Sequence, residues 1–213
     1  MSFDVRVRKA LGQFTLDRAF NVDTGLTVLF GPSGSGKTSI LNMVAGLLRP
    51  ESGHIIVNGV TLFDSAKGVN LPPNKRHIGS VFQDGRLFPH RRVRANLLYG
   101  YRLAQPADRW LDPEKAIAFL GIEHLLDRWP ASLSGGEVQR VAIGRALLAG
   151  PRALLMDEPL SSLDEPRREE IMLVIERIRD ELRIPILYVT HDRSEAQRLA
   201  TNVVELEQTE KSE

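Results

Sequence analysis

The sequence predicts an α/β fold with a parallel-sheet core, an N-terminal antiparallel β subdomain and an inserted α-helical subdomain. Short apolar runs alternate with amphipathic helical segments, which is typical of a parallel sheet covered by helices. The first 22 residues instead alternate apolar and charged positions, and the stretch from 93 to 150 is mainly helical. We expect a single domain over residues 1–213, with the helical insertion at about residues 85–150.

The N-terminal half supplies the first strands of both sheets. Val5 and Val7 alternate with arginines, as in an antiparallel sheet with one buried face. Residues 26–30 are almost entirely apolar, which predicts a strand buried on both faces. After a glycine-rich loop, apolar spacing predicts a helix over 38–48 that ends at Arg49-Pro50.

The C-terminal half predicts the remaining strands of the parallel core. Residues 153–156 and 186–189 are short apolar runs that read as buried strands. A long helix beginning at Asp164 separates them, and residues 203–206 predict a last strand. Asn58-Gly59 is a hairpin signal outside this core.

Composition excludes several classes of protein. With 28 basic and 27 acidic residues, the formal net charge is +1. The chain therefore lacks the excess of basic residues that would predict a nucleic-acid partner. The absence of cysteine excludes disulfides, thiolate zinc sites and cysteine nucleophiles. No apolar run approaches the roughly 18 residues of a membrane helix, and the N-terminus lacks a signal-peptide core. We therefore expect a cytosolic protein that does not insert into the membrane itself.

One loop fits the phosphate-binding pattern G-x-x-x-x-G-K-[ST]. It consists of Gly31, Pro32, Ser33, Gly34, Ser35, Gly36, Lys37 and Thr38. Glycines let successive N–H groups point at phosphate oxygens, and the helix that follows adds its positive end. Lys37 supplies a charge near the β- and γ-phosphates, and the Thr38 hydroxyl can ligate Mg²⁺. The alternative is a plain glycine-rich turn, but the strand before and the helix after favour ATP binding.

Two acids and a histidine follow the predicted strands. Asp157 is suited to hold Mg²⁺, and Glu158 to accept a proton from an attacking water. His191 should lie on the same sheet edge, where it could contact the γ-phosphate. The alternatives are that the acids begin a surface loop and that His191 caps the next helix.

A short motif before the acidic strand identifies a family resemblance. The segment Leu133-Ser134-Gly135-Gly136-Glu137 could by itself be an ordinary helix N-cap. Together with the phosphate loop, Gln83, Asp157-Glu158 and His191 in this order, it makes the chain resemble the ATP-binding subunits of ABC transporters.

The resemblance implies a P-loop NTPase (RecA-like) core and a set of residue roles. Gln83 would sense Mg²⁺ and the γ-phosphate and link the ATP site to membrane subunits. Ser134, Gly135 and Gly136 would contact ATP held by a second copy of the chain. Asp164 would lie at the dimer seam. The ATP-bound form would be a head-to-tail homodimer enclosing two ATP molecules.

The resemblance also suggests a cargo. Residues 75–100 and 133–147 resemble the molybdate-importer branch of the family, although sulfate and iron(III) importers share parts of these segments. This implies an energy-coupling ATPase for molybdate or tungstate, peripheral to the cytoplasmic face of the cell membrane. Its partners would be integral membrane permease subunits and, through them, a solute-binding protein. An ABC-type ATPase acting on DNA or ribosomes is disfavoured, because the chain has neither a long coiled coil nor two fused halves.

The sequence departs from the family pattern in three places. The position where many members stack adenine on an aromatic ring holds Leu11, with Phe14 nearby. The signature segment ends in Glu137, where glutamine is commoner. The sequence ends at Glu213, whereas molybdate-type members usually continue into an oxyanion-binding domain. Regulation by oxyanion binding to this subunit is therefore not expected.

Overall fold

The computed structural model describes residues 2–12 and 14–207. The strands within them form two five-stranded sheets. These strands are β1 (Phe3–Leu11), β2 (Phe14–Val22), β3 (Leu26–Phe30), β4 (Ser52–Val57), β5 (Val60–Asp64), β6 (Val69–Asn70), β7 (Ile78–Phe82), β8 (Ala153–Asp157), β9 (Ile186–Thr190) and β10 (Asn202–Glu205). The helices are α1 (Lys37–Ala45), α2 (Pro73–Arg76), α3 (Val93–Leu103), α4 (Pro113–Leu120), α5 (Gly135–Leu148), α6 (Glu165–Arg177) and α7 (Arg193–Leu199).

The first sheet is antiparallel and has the order β2-β1-β4-β5-β6. Along β1, Phe3, Val5 and Val7 are buried while Arg6 is exposed, so the predicted alternation is confirmed. The predicted hairpin at Asn58-Gly59 joins β4 to β5, with positive φ at both residues (47° and 76°). Such a pair of φ angles matches the right-handed twist of the two strands.

The second sheet is parallel throughout and has the order β10-β3-β9-β8-β7. Its strands β3, β8 and β9 are buried along most of their length, as predicted for strands covered on both faces. The sequence patterns did not predict β7, because Gly79 and Ser80 interrupt its apolar residues. The last strand covers Asn202–Glu205, one residue earlier than predicted.

Two apolar clusters lie on opposite faces of the parallel sheet. Leu29 and Leu155 pack with α1 and with the inward face of the antiparallel sheet. Val28 and Leu154, one position away on the same strands, pack with the helices α3 to α7. Because neighbouring residues of a strand point to opposite faces, one sheet anchors both halves of the molecule.

Helix α1 is shorter than predicted. The apolar spacing predicted a helix over 38–48, but α1 ends at Ala45 because Gly46 turns left-handed (φ 82°). The guanidinium of Arg76, only 1% exposed, donates from Nη1 to the carbonyl of Met43 at 2.8 Å. A buried cation at this end complements the negative end of the helix dipole.

The segment between β7 and β8 contains α3, α4 and α5, so the predicted helical character of residues 93–150 is confirmed. Helix α5 packs against α3, α4, α6 and β7. In the described part of the chain, no helix has the length and apolar character needed to cross a membrane.

Candidate functional site

Four parallel strands deliver the predicted site residues to one edge of the sheet. Strand β3 leads into the loop Gly31–Gly36, β7 ends one residue before Gln83, β8 ends at Asp157, and β9 ends one residue before His191. The strands are neighbours in the order β3-β9-β8-β7. Their carboxyl ends therefore meet at the crevice where open α/β sheets bind ligands.

The phosphate loop is shaped by its glycines. Gly34 and Gly36 have φ angles of 83° and 92°, in the left-handed region that other residues avoid. A Cβ atom on Gly36 would lie 2.3 Å from Cδ1 of Leu16. The hydroxyl of Ser35 is buried and has no hydrogen-bond partner among the described residues. A tight glycine-rich turn between a strand and a helix N-terminus fits a phosphate group.

Lys37 opens α1 with its side chain folded back over the loop. Its ammonium donates to the carbonyls of Gly31 at 2.7 Å and Pro32 at 2.8 Å, and the residue is 5% exposed. Burial lowers the pKa of Lys37, while the charges of Glu158 and Asp157 act in the opposite direction. The carbonyls of Gly31 and Pro32 thus hold the lysine ammonium in the loop.

Thr38 and Asp157 join α1 to the end of β8. The Thr38 hydroxyl donates to Oδ1 of Asp157 at 3.0 Å. Burial raises the pKa of Asp157, partly offset by this hydrogen bond, and the nearby Glu158 raises it further. Hydroxyl and carboxylate oxygens are hard ligands that suit Mg²⁺.

Glu158 and His191 form a pair beside the phosphate loop. Nδ1 of His191 lies 3.1 Å from Oε1 of Glu158. Glu158 has a positive φ of 44°, and its N–H donates to the carbonyl of Val189 at 3.0 Å. This strained backbone lies directly at the candidate site, where such conformations are found most often.

One hollow collects the parts of the phosphate site. It is lined by Phe14, Ser33, Gly34, Gly36, Lys37, Thr38, Ser39 and Glu158. The family pattern placed Leu11 at the adenine-stacking position, with Phe14 only as its neighbour. The aromatic ring of Phe14 lines the hollow, whereas Leu11 does not.

The signature segment occupies a different hollow. Ser134, Gly136 and Glu137 line it together with residues of α6 and the α4–α5 connection. Ser134 caps α5: its N–H donates to Oε2 of Glu137 at 2.7 Å, and its hydroxyl accepts from the Glu137 N–H at 3.4 Å. The residues Ser134 to Gly136 therefore do not reach the phosphate loop of their own chain.

Gln83 is exposed and follows β7 at the level of Asp157, because Phe82 pairs with Asp157 in the sheet. Its backbone carbonyl accepts from Nε2 of Gln139 on α5 at 2.7 Å. Gln139 was not among the predicted site residues. Its hydrogen bond to Gln83 joins positions 56 residues apart in the chain, and no local sequence pattern predicts it.

A family model described as ABC transporter matches residues 18–161, more than half of the chain. The matched span includes the phosphate loop, Gln83, Ser134–Gly136 and the Asp157-Glu158 pair. The chain belongs to the ABC transporter family. In this ABC transporter chain, His191 lies beyond the matched span but on the same sheet edge.

Curated relatives in this family are molybdenum import ATP-binding proteins named ModC. The one from Brucella abortus (strain 2308) is 55% identical over 204 residues, which are 94% of this chain and 55% of the relative. The one from Rhizobium meliloti (strain 1021) is 53% identical over 207 residues, 97% of this chain and 58% of the relative. The chain thus spans little more than half the length of these relatives.

A solved structure shares the fold. CbiO1 from Clostridium perfringens, described as part of the ABC transporter complex cbiONQ, superposes with a TM-score of 0.80 at 28% identity. The match covers 97% of this chain and 84% of CbiO1. The predicted fold class, a P-loop NTPase core with an antiparallel β sheet and added helices, is confirmed.

Proposed function

We propose that this chain is the ATP-hydrolysing, energy-coupling subunit of an ABC importer. The observation that carries the proposal is the placement of Glu158 in the same hollow as Lys37 and Thr38. A phosphate-binding lysine and a carboxylate that can take a proton from water then face one ligand. The contact between Nδ1 of His191 and Oε1 of Glu158, at 3.1 Å, supports the same assignment.

In this proposal the loop Gly31–Gly36 and Lys37 hold the phosphates of ATP. The N–H groups of the loop and the N-terminus of α1 supply the donors. Phe14 is the aromatic side chain of the hollow, and we assign it the adenine ring in place of Leu11.

Thr38, Asp157 and Gln83 are the proposed ligands of Mg²⁺. Thr38 and Asp157 already lie within 3.0 Å of each other, and Gln83 follows the strand paired with Asp157. When bound, Mg²⁺ neutralises charge on the phosphates and helps to orient them.

Glu158 is the proposed general base for hydrolysis. Its carboxylate accepts a proton from the attacking water, while His191 holds that carboxylate and contacts the γ-phosphate. Lys37 stabilises negative charge on the terminal phosphates. Phosphoryl transfer to water depends mostly on positioning and charge stabilisation. Glu158, His191 and Lys37 are the types of side chain that this chemistry requires.

The complete site needs a second chain. Ser134, Gly135 and Gly136 lie at the N-terminus of α5 and outside the hollow of the phosphate loop. A helix N-terminus is suited to bind an anion. We propose that this segment contacts the γ-phosphate of ATP held by a second copy in a head-to-tail homodimer.

The cargo and the partners follow from the relatives. Proteins named molybdenum import ATP-binding protein share 53% to 55% of their matched residues with this chain. We therefore propose molybdate or tungstate as the cargo, with integral membrane permease subunits and a solute-binding protein as partners. The chain would work at the cytoplasmic face of the cell membrane.

Glu158→Gln tests the catalytic assignment. Glutamine keeps the shape of the side chain but cannot accept the proton, so Mg-ATP should still bind while turnover falls by at least about 100-fold. Phosphate release measures turnover and calorimetry measures binding. Glu165→Gln, at an exposed position on α6, is the matched control and should keep full turnover. Wild-type turnover in Glu158→Gln would remove Glu158 from this role.

A reconstituted complex tests the cargo. With permease and binding protein present, molybdate should stimulate ATP hydrolysis more than sulfate or iron(III) does. If only sulfate or iron(III) stimulated hydrolysis, the proposed ATPase function would stand and the proposed cargo would be wrong.

A further inference from the structure

Helix α5 holds the loop that follows β7, which we call the Gln83 loop (residues 83–88). Gln139, on the second turn of α5, is 1% exposed. Its Nε2 donates to the carbonyl of Gln83 at 2.7 Å and to the carbonyl of Phe82 at 3.2 Å. One buried amide therefore holds the carbonyls of two successive residues, in the peptide groups on either side of the Gln83 Cα.

Arg145 continues this attachment further along α5. Its Nη1 donates to the carbonyl of Arg86 at 2.8 Å, and its Nη2 donates to the carbonyl of Gly85 at 3.0 Å. The guanidinium also lies 5.2 Å from the ring centroid of Phe88. Burial lowers the pKa of Arg145. A desolvated cation is costly unless it makes hydrogen bonds, and among the described residues the Arg145 guanidinium makes them to the carbonyls of the Gln83 loop.

Packing brings the loop and the helix into direct contact between these two attachments. Gly85 has a φ of 64°, and a Cβ atom there would lie 2.5 Å from Cγ1 of Val138. The same Cβ would lie 3.6 Å from Cβ of Ala142. Residues 138, 142 and 145 share one face of the helix because they are spaced by four and three. The Gln83 loop thus lies along a single stripe of α5.

The same helix begins at the signature segment. Ser134 is its N-cap, five residues before Gln139, which is about 7.5 Å along a helix. A rigid α-helix therefore separates the residue proposed to contact one ATP from the residues that hold Gln83.

We propose that Gln139 and Arg145 are positioning residues that join the Mg²⁺ side of one nucleotide site to the signature helix. Gln83 and Ser134 then change position together. This inference rests on the proposed role of Gln83. It goes beyond that role by naming the side chains that transmit its movement.

A double-mutant cycle tests the inference in the full chain. Calorimetry measures Mg-ATP affinity at a dilution where light scattering finds monomers. Gln83→Ala should weaken Mg-ATP binding by about tenfold in the native background. In a Gln139→Leu, Arg145→Met background the loop is no longer held, so the same substitution should cost about twofold or less.

Arg177→Met is the matched control background. Arg177 donates to the carbonyl of Phe119 at 2.9 Å and lies 4.1 Å from its ring centroid, but on α6 and away from the Gln83 loop. The effect of Gln83→Ala should stay near tenfold in that background. Equal effects of Gln83→Ala in all three backgrounds would overturn the inference. If the double background does not fold, Arg145→Lys replaces it, because an ammonium keeps the charge and loses the two-pronged contact.

Amide exchange gives a readout that does not depend on what Gln83 binds. In the monomeric chain, Mg-ATP should slow exchange both in residues 82–88 and in residues 134–139. The Gln139→Leu, Arg145→Met chain should keep the first response and lose the second. A retained response at 134–139 would contradict the inference. A Gln83→Ala chain with unchanged Mg-ATP affinity would instead contradict the proposed role of Gln83.

Discussion

Lys37 is the residue whose removal should affect nucleotide binding most directly. Its ammonium is buried in the loop and already oriented by Gly31 and Pro32. Lys37→Ala removes a charge-assisted contact to phosphate, so ATP affinity should fall by about tenfold or more. Calorimetric titration with ATP measures it. Lys75→Ala, at an exposed position on α2, should bind ATP like the wild type, and equal affinity of both variants would contradict the assignment.

We expect the carboxylate of Asp157 to favour Mg-ATP binding but to lower the stability of the fold. Burial raises its pKa, so the ionised carboxylate destabilises the nucleotide-free fold above that raised pKa. This destabilisation disappears below the pKa of an aspartate in the unfolded chain, about 3.9. Asp157→Asn should therefore melt at a higher temperature than the wild type at pH 7, with the difference shrinking as the pH approaches 4.

Thermal unfolding without nucleotide measures this difference, and calorimetry should find weaker Mg-ATP binding in the same variant. Asp127→Asn changes an exposed carboxylate outside the site and should alter neither property. A lower melting temperature for Asp157→Asn at pH 7 would mean that the ionised group stabilises the fold.

The residues that sequence analysis found are those with a local signature. Lys37 and Asp157 were predicted because a contiguous motif or a strand end marks them. Phe14, which the sequence pattern named only as the neighbour of Leu11, and Gln139, which it did not name, lie against segments far away in the chain, and the structure is needed to place them. The role of Arg145 was missed for the same reason: its partners, Gly85 and Arg86, lie about 60 residues earlier.

Helix α5 depends on its cap. Glu137 accepts from the backbone N–H of Ser134 at 2.7 Å and pairs with Arg128 at 3.3 Å. Burial alone would raise the pKa of Glu137, but the Ser134 hydrogen bonds and the charge of Arg128 outweigh it, and the pKa is lowered. Its stabilisation is therefore complete above the unfolded pKa of about 4.3 and is lost as the pH falls through the lowered folded value.

Glu137→Ala should lower the free energy of unfolding by about 1 kcal/mol at pH 7. The loss should shrink at pH 3, where the wild-type carboxylate is increasingly protonated. Urea denaturation at the two pH values measures both effects. Glu123→Ala removes an exposed carboxylate on a neighbouring turn and serves as the control. An unchanged free energy of unfolding in Glu137→Ala would show that the cap is not stabilising.

Elements with a clear apolar pattern were predictable from the sequence, but the positions of their ends were less so. The runs that became β3, β8 and β9 are short and apolar, and the structure confirms them. Helix α1 ended early because Gly46 adopts a left-handed φ, which the apolar pattern through Leu48 conceals. Strand β7 was missed because its burial comes from β8 and α5 rather than from its own composition.

At the scale of the molecule, the sheet edge and the signature helix carry two separate hollows. The phosphate loop and Glu158 line one surface hollow, and Ser134 and Gly136 line another. One chain cannot bring both to the same ATP in this conformation. In the proposed head-to-tail dimer, each copy would supply the part of the site that the other lacks.

Mixing two inactive variants tests this central claim most directly. Lys37→Ala disables the phosphate loop, and Gly136→Asp places a negative charge at the N-terminus of α5. A Cβ on Gly136 would meet the nearest atoms of Arg167 only at 3.5 Å, so the aspartate should fit without disturbing the fold. Each variant alone should be inactive.

An equimolar mixture of the two variants should hydrolyse ATP. In the mixed dimer, the intact phosphate loop of the Gly136→Asp chain faces the intact signature of the Lys37→Ala chain. Phosphate release from the mixture is the measurement, with each variant alone at twice the concentration as the control. Activity in the mixture and none in either control is the predicted result. Full activity of Gly136→Asp alone, or an inactive mixture in which dimers are present, would contradict the shared site.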